Sequence, residues 1–170
     1  PGGGAAVWFG EEAGALAGGT VMVVRRMRTD LDRWDRLDTL GKDRVIGRRI
    51  ADGAPLTGEA EGDPVDLEAR EGTGLPVIPA NAHVRRVIEA GETILRRSYN
   101  YDEGPGPTGT PDAGLIFIAY QADIGQFIAV QERLAEGDLL NDYAVPIGSA
   151  VFVLPPGCDE DGWIGQGVFA

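Results

Sequence analysis

The residues best suited to chemistry lie in one stretch of the chain, IPANAHVRRVIEAGETILRRSYNY, at positions 78–101. It contains the only histidine, His83, whose imidazole can bind a metal or move a proton near neutral pH. Arg96 and Arg97 follow, and a guanidinium stays charged and can stabilise an anion. Residue types alone leave the chemistry open. A lone histidine is more often a surface or hydrogen-bonded core residue, and adjacent arginines more often form a solvated or salt-bridged patch.

The composition limits the class of protein. A chain of 170 residues, 43% of them hydrophobic, can form one domain with a substantial core. Its net charge of −12 argues against nucleic acid and anionic membranes as partners. No apolar run approaches the roughly 20 residues that span a bilayer. Cys158 is the only cysteine, which excludes an internal disulfide, a thiolate zinc cluster and a CxxCH attachment motif.

Hydrophobic periodicity predicts the elements that must position this stretch. The predicted elements are a strand over 20–27, a helix capped by Thr29 or Asp30, a helix over 40–51, a strand over 115–122, a helix over 124–135 capped by Asp123, and a strand over 149–154. Glycine and proline predict irregular segments over 54–79 and 102–114. The segment around His83 is too short to classify.

This order of elements fits an α+β fold with helices on one face of an antiparallel sheet, as in a ferredoxin-like sandwich with insertions. We expect a connecting segment over 1–19, one lobe over 20–157 that includes the long loop 54–79, and a tail over 158–170.

Seven collinear blocks resemble the C-terminal half of dye-decolourising peroxidases, especially the branch of Tat-exported, iron-uptake-associated haem enzymes. The blocks are GGTVMVVRRMR (18–28), WDRL (34–37), IGRRIADGAPLTG (46–58), IPANAHVRR (78–86), ILRRSYNYDEG (94–104), GLIFIAYQADIGQFIAVQERLAEGDLLNDY (114–143) and GSAVFVLPPG (148–157). One block alone is weak, but seven in the same order and spacing are specific.

The resemblance implies two ferredoxin-like halves, of the dimeric α+β barrel type, around a non-covalent haem b, with this chain as the second half. His83 matches the proximal iron ligand and Arg96 the distal arginine. Leu115 and Phe117 match apolar residues of the distal pocket. Asn141 or Asp142 falls where the family has a hydrogen-bond partner for the proximal histidine, and the register between them stays open, with Asp142 taken as the candidate.

The chemistry of these residue types agrees with the implied roles. An imidazole is a suitable axial ligand, and a carboxylate on its other nitrogen increases its donor strength. The Arg96 guanidinium would stabilise a developing peroxide anion.

The chain also departs from the family pattern. The family's distal aspartate lies in a GxxDG motif, which this chain lacks, so we expect a complementary N-terminal half or partner chain to supply it. Val21 stands where a tyrosine is usual. Ser98 stands where glycine is usual, which should slightly stiffen the turn after Arg96.

The resemblance implies hydrogen peroxide and bulky aromatic donors as substrates and an oligomeric assembly. Relay candidates for electrons from the donors are Trp34, Tyr99, Tyr101 and Trp163, although aromatic side chains more often serve packing. Export by the Tat route to the periplasm or outside follows if the branch is right, and a cytoplasmic location otherwise. Two alternatives stay open: a haem or porphyrin carrier without peroxidase turnover, and a non-haem assembly domain that self-associates through its sheet.

Overall fold

The computed structural model of the chain describes residues 4–106 and 109–169. Its helices are α1 (Gly4–Val7), α2 (Leu31–Trp34), α3 (Thr39–Ile46), α4 (His83–Glu89), α5 (Ile124–Ala135) and α6 (Gln166–Phe169), with 3₁₀ helices at Glu11–Leu16 and Leu139–Asp142. Its strands are β1 (Thr20–Thr29), β2 (Leu95–Arg96), β3 (Tyr99–Pro105), β4 (Pro111–Gln121) and β5 (Ala144–Leu154).

Strand β4 organises the sheet, because β1, β2 and β3 all pair with it in antiparallel fashion. The strand order is β2-β4-β1-β5, with β3 also on β4. The apolar, β-branched run of β1 packs well in a pleated sheet, and Val23 is only 1% exposed. The predicted antiparallel α+β fold is therefore confirmed. Strand β5 is different, since nearly every residue along it is exposed.

Side-chain caps define several helices at the predicted positions. Asp30 caps α2 by accepting a hydrogen bond from the Arg33 amide, and Asp123 accepts one from the Gly125 amide at the start of α5. The bounds predicted for α5 are confirmed. Helix α3, predicted to continue to residue 51, ends at Ile46 because Gly47 takes a left-handed conformation with φ of 88°.

Two predicted boundaries are wrong for one physical reason, which is that strand pairing continues beyond the apolar residues. The segment 102–114 was expected to be irregular, but β3 reaches Pro105 and β4 begins at Pro111, with these two prolines paired across the hairpin. Strand β5 likewise begins at Ala144 rather than at 149. Residues before β1 include α1 and a 3₁₀ helix rather than only a linker.

The described residues form two compact units. The sheet unit comprises the described parts of 1–28, 92–129 and 146–170, and its core includes Val21, Val23 and Ala119. The helical unit comprises 29–91 and 130–145, and its core includes Val45 and Ile78. The predicted lobe boundaries at 20 and 157 stay predictions.

The long segment 54–79 is irregular, as predicted, and arginines hold its backbone in place. Arg49 donates to the carbonyl oxygens of Gly58 and Glu59, both at 2.9 Å. Arg85, from α4, donates to the carbonyls of Leu67 at 2.6 Å and Ile78 at 3.0 Å. Carbonyl groups that lack a strand partner are thereby satisfied. No helix in the described ranges, 4–106 and 109–169, has the length and apolar character that crossing a bilayer requires.

Candidate functional site

His83 begins α4 and is held by a carboxylate. Its Nδ1 lies 2.6 Å from Oδ2 of Asp138, and the two side chains are 23% and 1% exposed. A carboxylate oxygen accepts hydrogen bonds, so Nδ1 is the donor in this contact. The contact anchors the ring through Nδ1, and Nε2 is the nitrogen that such an arrangement leaves for a metal.

Asp138 is itself fixed at the junction between α5 and the following 3₁₀ helix. Its amide donates to the Leu134 carbonyl at 3.0 Å, and its Oδ1 accepts from the Leu140 amide at 3.0 Å. The Leu139 amide donates to the carbonyl of Asn81 at 3.0 Å, next to the start of α4. Both carboxylate oxygens therefore have partners, and the carboxylate is locked in its orientation toward His83.

The expectation that Asn141 or Asp142 would partner His83 is corrected by this geometry. The Asn141 amide donates to the Leu134 carbonyl at 3.0 Å, and Asp142 accepts from Arg33 through its backbone oxygen at 2.8 Å. The partner is Asp138, one 3₁₀ turn earlier. Its sequence signal is its position directly after the helix-ending Gly137, where an aspartate can cap the next turn.

The helical unit supplies a donor set that fits haem iron. An imidazole with a free Nε2 and a buried carboxylate on Nδ1 is the arrangement that haem proteins use for an axial ligand. Among residues 4–106 and 109–169, no three His, Cys, Asp or Glu side chains are grouped to hold a metal ion.

In the sheet unit, the three other candidates lie on one face of the sheet. Arg96 is exposed in β2 and pairs with Ala119 of β4, while Leu115 and Phe117 occupy alternate positions along β4. Directly paired residues share a face, and alternate residues along a strand share a face. The sequence predicted these roles separately, and the register places the arginine on the same face as the two apolar side chains.

Arg25 lies on the same face and was not predicted. It pairs with Phe117, its guanidinium carbon lies 5.9 Å from the Phe127 ring centroid, and its Nε donates to Ser149 Oγ at 3.3 Å. Burial lowers the pKa of its guanidinium from the ordinary value. Phe117 lies 6.1 Å from Phe127 between ring centroids. The available sequence signal was the position of Arg25 and Arg26 in a predicted strand, because two successive strand residues direct their side chains to opposite faces of the sheet.

The aromatic relay candidates occupy varied environments. The hydroxyl of Tyr101 donates to Asp112 at 3.1 Å, under the Arg26 guanidinium at 4.4 Å from the ring centroid. Hydrogen bonds from Arg26 to Glu103, Tyr101 and Asp112 raise its pKa above the ordinary value. Trp34 packs on Tyr143, with ring centroids 5.2 Å apart. The exposed candidates, Tyr99 and Trp163, are 60% and 52% exposed.

Two departures from the family pattern are accommodated locally. Ser98 Oγ accepts from the Ile118 amide at 3.4 Å, where the ladder passes from β2 to β3. Val21 is buried in the sheet at 8% exposure.

The described residues thus combine an antiparallel α+β fold with a histidine that is held by a buried carboxylate. The chain belongs to the DyP-type peroxidase family, since the family profile described as "Dyp-type peroxidase, C-terminal" matches residues 3–159. Members of this family are haem peroxidases, so the predicted family and its cofactor are confirmed.

Known proteins of this family are similar over nearly the whole chain. A dye-decolorizing peroxidase of Thermobifida fusca is 47% identical over 156 residues, which are 89% of this chain and 36% of that protein. A deferrochelatase of Yersinia pestis is 38% identical over 170 residues, 94% of this chain and 38% of that protein. The crystal structure of a DyP-type peroxidase from Cellulomonas bogoriensis superposes with a TM-score of 0.92 at 47% identity, over 97% of this chain and 47% of that one. The chain thus spans less than half the length of these relatives.

Proposed function

We propose that this chain is the haem-binding lobe of a dye-decolourising peroxidase that reduces hydrogen peroxide and oxidises bulky aromatic donors. The observation that carries the proposal is the 2.6 Å contact between His83 Nδ1 and the buried Asp138 carboxylate. Family membership and the named relatives at 47% and 38% identity support the class of reaction.

Each residue has a stated task in this proposal. Haem b, when bound, would supply the redox centre that gives electrons to peroxide and recovers them from the aromatic donor. His83 would hold the iron through its imidazole, and Asp138 would keep the ring oriented and increase its donor strength. Arg96 places a permanent positive charge where the peroxide oxygens carry negative charge. Leu115 and Phe117 exclude water from that side and so strengthen the charge interaction.

The proton transfer between the two peroxide oxygens needs a further group, and the proposal assigns it to an aspartate in a GxxDG motif outside this chain. The shares of 36% and 38% of the relatives' length support this, because much of each relative has no counterpart here. The complementary half therefore acts as the partner that completes the distal side.

A second candidate function is a haem or porphyrin carrier without peroxidase turnover. The His83–Asp138 contact supports it equally, since a carrier needs a ligand for the iron and needs no group for peroxide chemistry. The two candidate functions predict different results in a dye-bleaching assay. A peroxidase lobe gains peroxide-dependent dye bleaching when the complementary half is added, whereas a carrier binds haem and bleaches nothing.

The test begins with haemin titration of the 170-residue chain and of His83→Gly. We expect a Soret band typical of histidine ligation in the first and its loss in the second. Free imidazole should restore the band in His83→Gly, because the small ligand occupies the position that the side chain left. Restoration distinguishes loss of the ligand from loss of the fold. An unchanged spectrum in His83→Gly would remove His83 from the iron.

A further inference from the structure

The helix that carries His83 is unusual in what holds it. Helix α4 has seven residues, its N-cap Ala82 makes no side-chain cap, and its only buried residue is Arg85. Helices this short are marginal in water unless tertiary contacts hold them. Apolar contact holds the start of α4, where Val84 lies against Gly47, but it does not hold the end, since Ile88 is 43% exposed.

Ion pairs link α4 to the end of α5 instead. Glu89, the last residue of α4, pairs with Arg133 in the last turn of α5, and Arg133 also pairs with Glu136. Glu136 reaches back to Arg86 of α4 at 3.7 Å. Arg85 pairs with Glu89 at 3.5 Å. These five residues form a continuous charged chain, which we call the Arg–Glu lattice.

The lattice lies beside the axial-ligand pair in sequence and in space. Asp138 follows Glu136 by two residues, and His83 precedes Arg86 by one helical turn. The Asp138 amide is bonded to the last turn of α5, the same turn that holds Arg133. Anything that shifts the end of α5 against α4 therefore shifts Asp138 Oδ2 against His83 Nδ1.

We infer that Arg133 is a positioning residue for the haem ligand: by joining Glu89 to Glu136 it fixes α4 against the end of α5 and so sets the His83–Asp138 hydrogen bond. The inference rests on the proposed function, because it treats His83 as the iron ligand. It adds that the donor strength of this ligand depends on an ion pair on the far end of its helix. Burial would raise the pKa of Glu89, but hydrogen bonds and charge from Arg133 and Arg85 outweigh it and lower that pKa, so Glu89 stays ionised.

The first measurement uses the haem-free chain. Amide hydrogen exchange across α4 should be about two- to five-fold faster in Arg133→Gln than in the wild type, the range expected for loss of partly exposed ion pairs. Arg44→Gln is the matched control, since it removes the Arg44–Glu71 pair of the same unit, at 3.0 Å, away from the lattice. Unchanged exchange in α4, or equal acceleration in the control, would overturn the inference.

The second measurement uses the haem-loaded protein. The iron–histidine stretching frequency of the ferrous form reports the strength of the imidazole hydrogen bond directly. We expect it to fall in Arg133→Gln, to recover in Arg133→Lys, and to fall no further when Glu89→Gln is added to Arg133→Gln. A frequency equal to the wild type in Arg133→Gln sinks the inference even if the variant is less stable. If the wild type shows no histidine-ligated haem, the proposed function is contradicted. The hydrogen-exchange rates of α4 in the haem-free chain then still test whether the Arg–Glu lattice holds that helix.

Discussion

At the scale of single residues, His83 is distinguished by its partner. A partly exposed imidazole at the start of a helix has many uses. This one is held in a single orientation, because its Nδ1 lies 2.6 Å from a carboxylate that is 1% exposed. Burying a carboxylate is costly unless its oxygens are bonded. Asp138 meets that condition through Leu140 on one oxygen and His83 on the other.

Replacing Asp138 by asparagine should weaken haem binding or activity by about 10–100-fold, because the imidazole loses a charged acceptor. The iron midpoint potential should rise, since a weaker donor stabilises the oxidised metal less. Haem-transfer kinetics and a redox titration measure both effects. Asp142→Asn is the control, because only the backbone oxygen of Asp142 makes a described contact with Arg33. Equal effects from the two variants would contradict the assignment of Asp138.

Replacing Arg96 by leucine should lower the second-order rate constant with hydrogen peroxide by about 10²–10³-fold, the cost of one lost oxyanion partner. Haem binding should not change. Stopped-flow mixing of the haem-loaded protein, together with its complementary half, gives the rate constant. Arg97 is the matched control because it is adjacent, exposed and just outside β2, so Arg97→Leu should leave the rate within about two-fold.

At this scale a motif and a tight turn gave sequence reasoning different power. Arg96, Leu115 and Phe117 came from collinear blocks, and the strand register places them on one face of the sheet, while their roles stay predictions. The partner of His83 was misplaced because residues 138–142 form a tight 3₁₀ turn with two acids and an amide. Packing between segments that are far apart in sequence decides which of Asp138, Asn141 and Asp142 is directed toward α4.

At the scale of elements, α3 and α4 are brought together by one glycine. Gly47 ends α3 with φ of 88°, and a Cβ there would lie 2.3 Å from Val84 Cγ1, the residue after His83. The left-handed backbone and the close approach both require glycine. The position of α4 is therefore fixed at its start by contact with Gly47.

Gly47→Ala should lower the free energy of unfolding by about 1–3 kcal/mol, from overpacking against Val84. Urea denaturation with linear extrapolation measures it. Gly74→Ala is the matched control, since Gly74 has a similar φ of 84° but a Cβ there meets nothing within 4 Å. A stability loss in Gly74→Ala as large as that in Gly47→Ala would show that the Val84 contact is not the cause.

Elements that have a strong local sequence signal could be predicted, and elements that form through pairing with a distant strand could not. The β1 and β4 cores and the whole of α5 followed from apolar runs and an aspartate cap. The hairpin of β3 and β4 has acids, glycines and prolines, which carry no strand signal, and it forms because β4 offers free backbone partners. Helix α4 has only seven residues and no cap, so local sequence could not define it.

At the scale of the whole molecule, acidity acts on stability in two opposed ways. The net charge of −12 at pH 7 creates self-repulsion that weakens as carboxylates take up protons. Ion pairs act in the other direction, because the pKa of Glu89 is lowered by Arg133 and Arg85 against the effect of burial. The pKa of Asp52 is lowered by its hydrogen bond to Arg49, and that of Asp63 by the Ala60 and Glu59 amides.

These depressed pKa values predict the sign of the pH dependence. The unfolded chain binds protons at the ordinary values of 4.5 for glutamate and 3.8 for aspartate, before the folded chain does. The stabilisation is therefore complete above about pH 4.5 and is lost as pH falls through the lower folded values. Urea midpoints should decline between pH 4.5 and pH 3, and Glu89→Gln should flatten that decline. A midpoint that rises from pH 4.5 to pH 3 would contradict this.

Strand β5 has a practical consequence for handling the isolated chain. Val151, Phe152 and Val153 are 57%, 46% and 56% exposed on a strand with a β partner on one side only among the described residues. Long apolar edge strands recruit other strands, so the purified chain should scatter light increasingly as it is concentrated. Val151→Lys should raise the concentration at which scattering begins. Co-expression with a polypeptide that covers β5 should raise that concentration further.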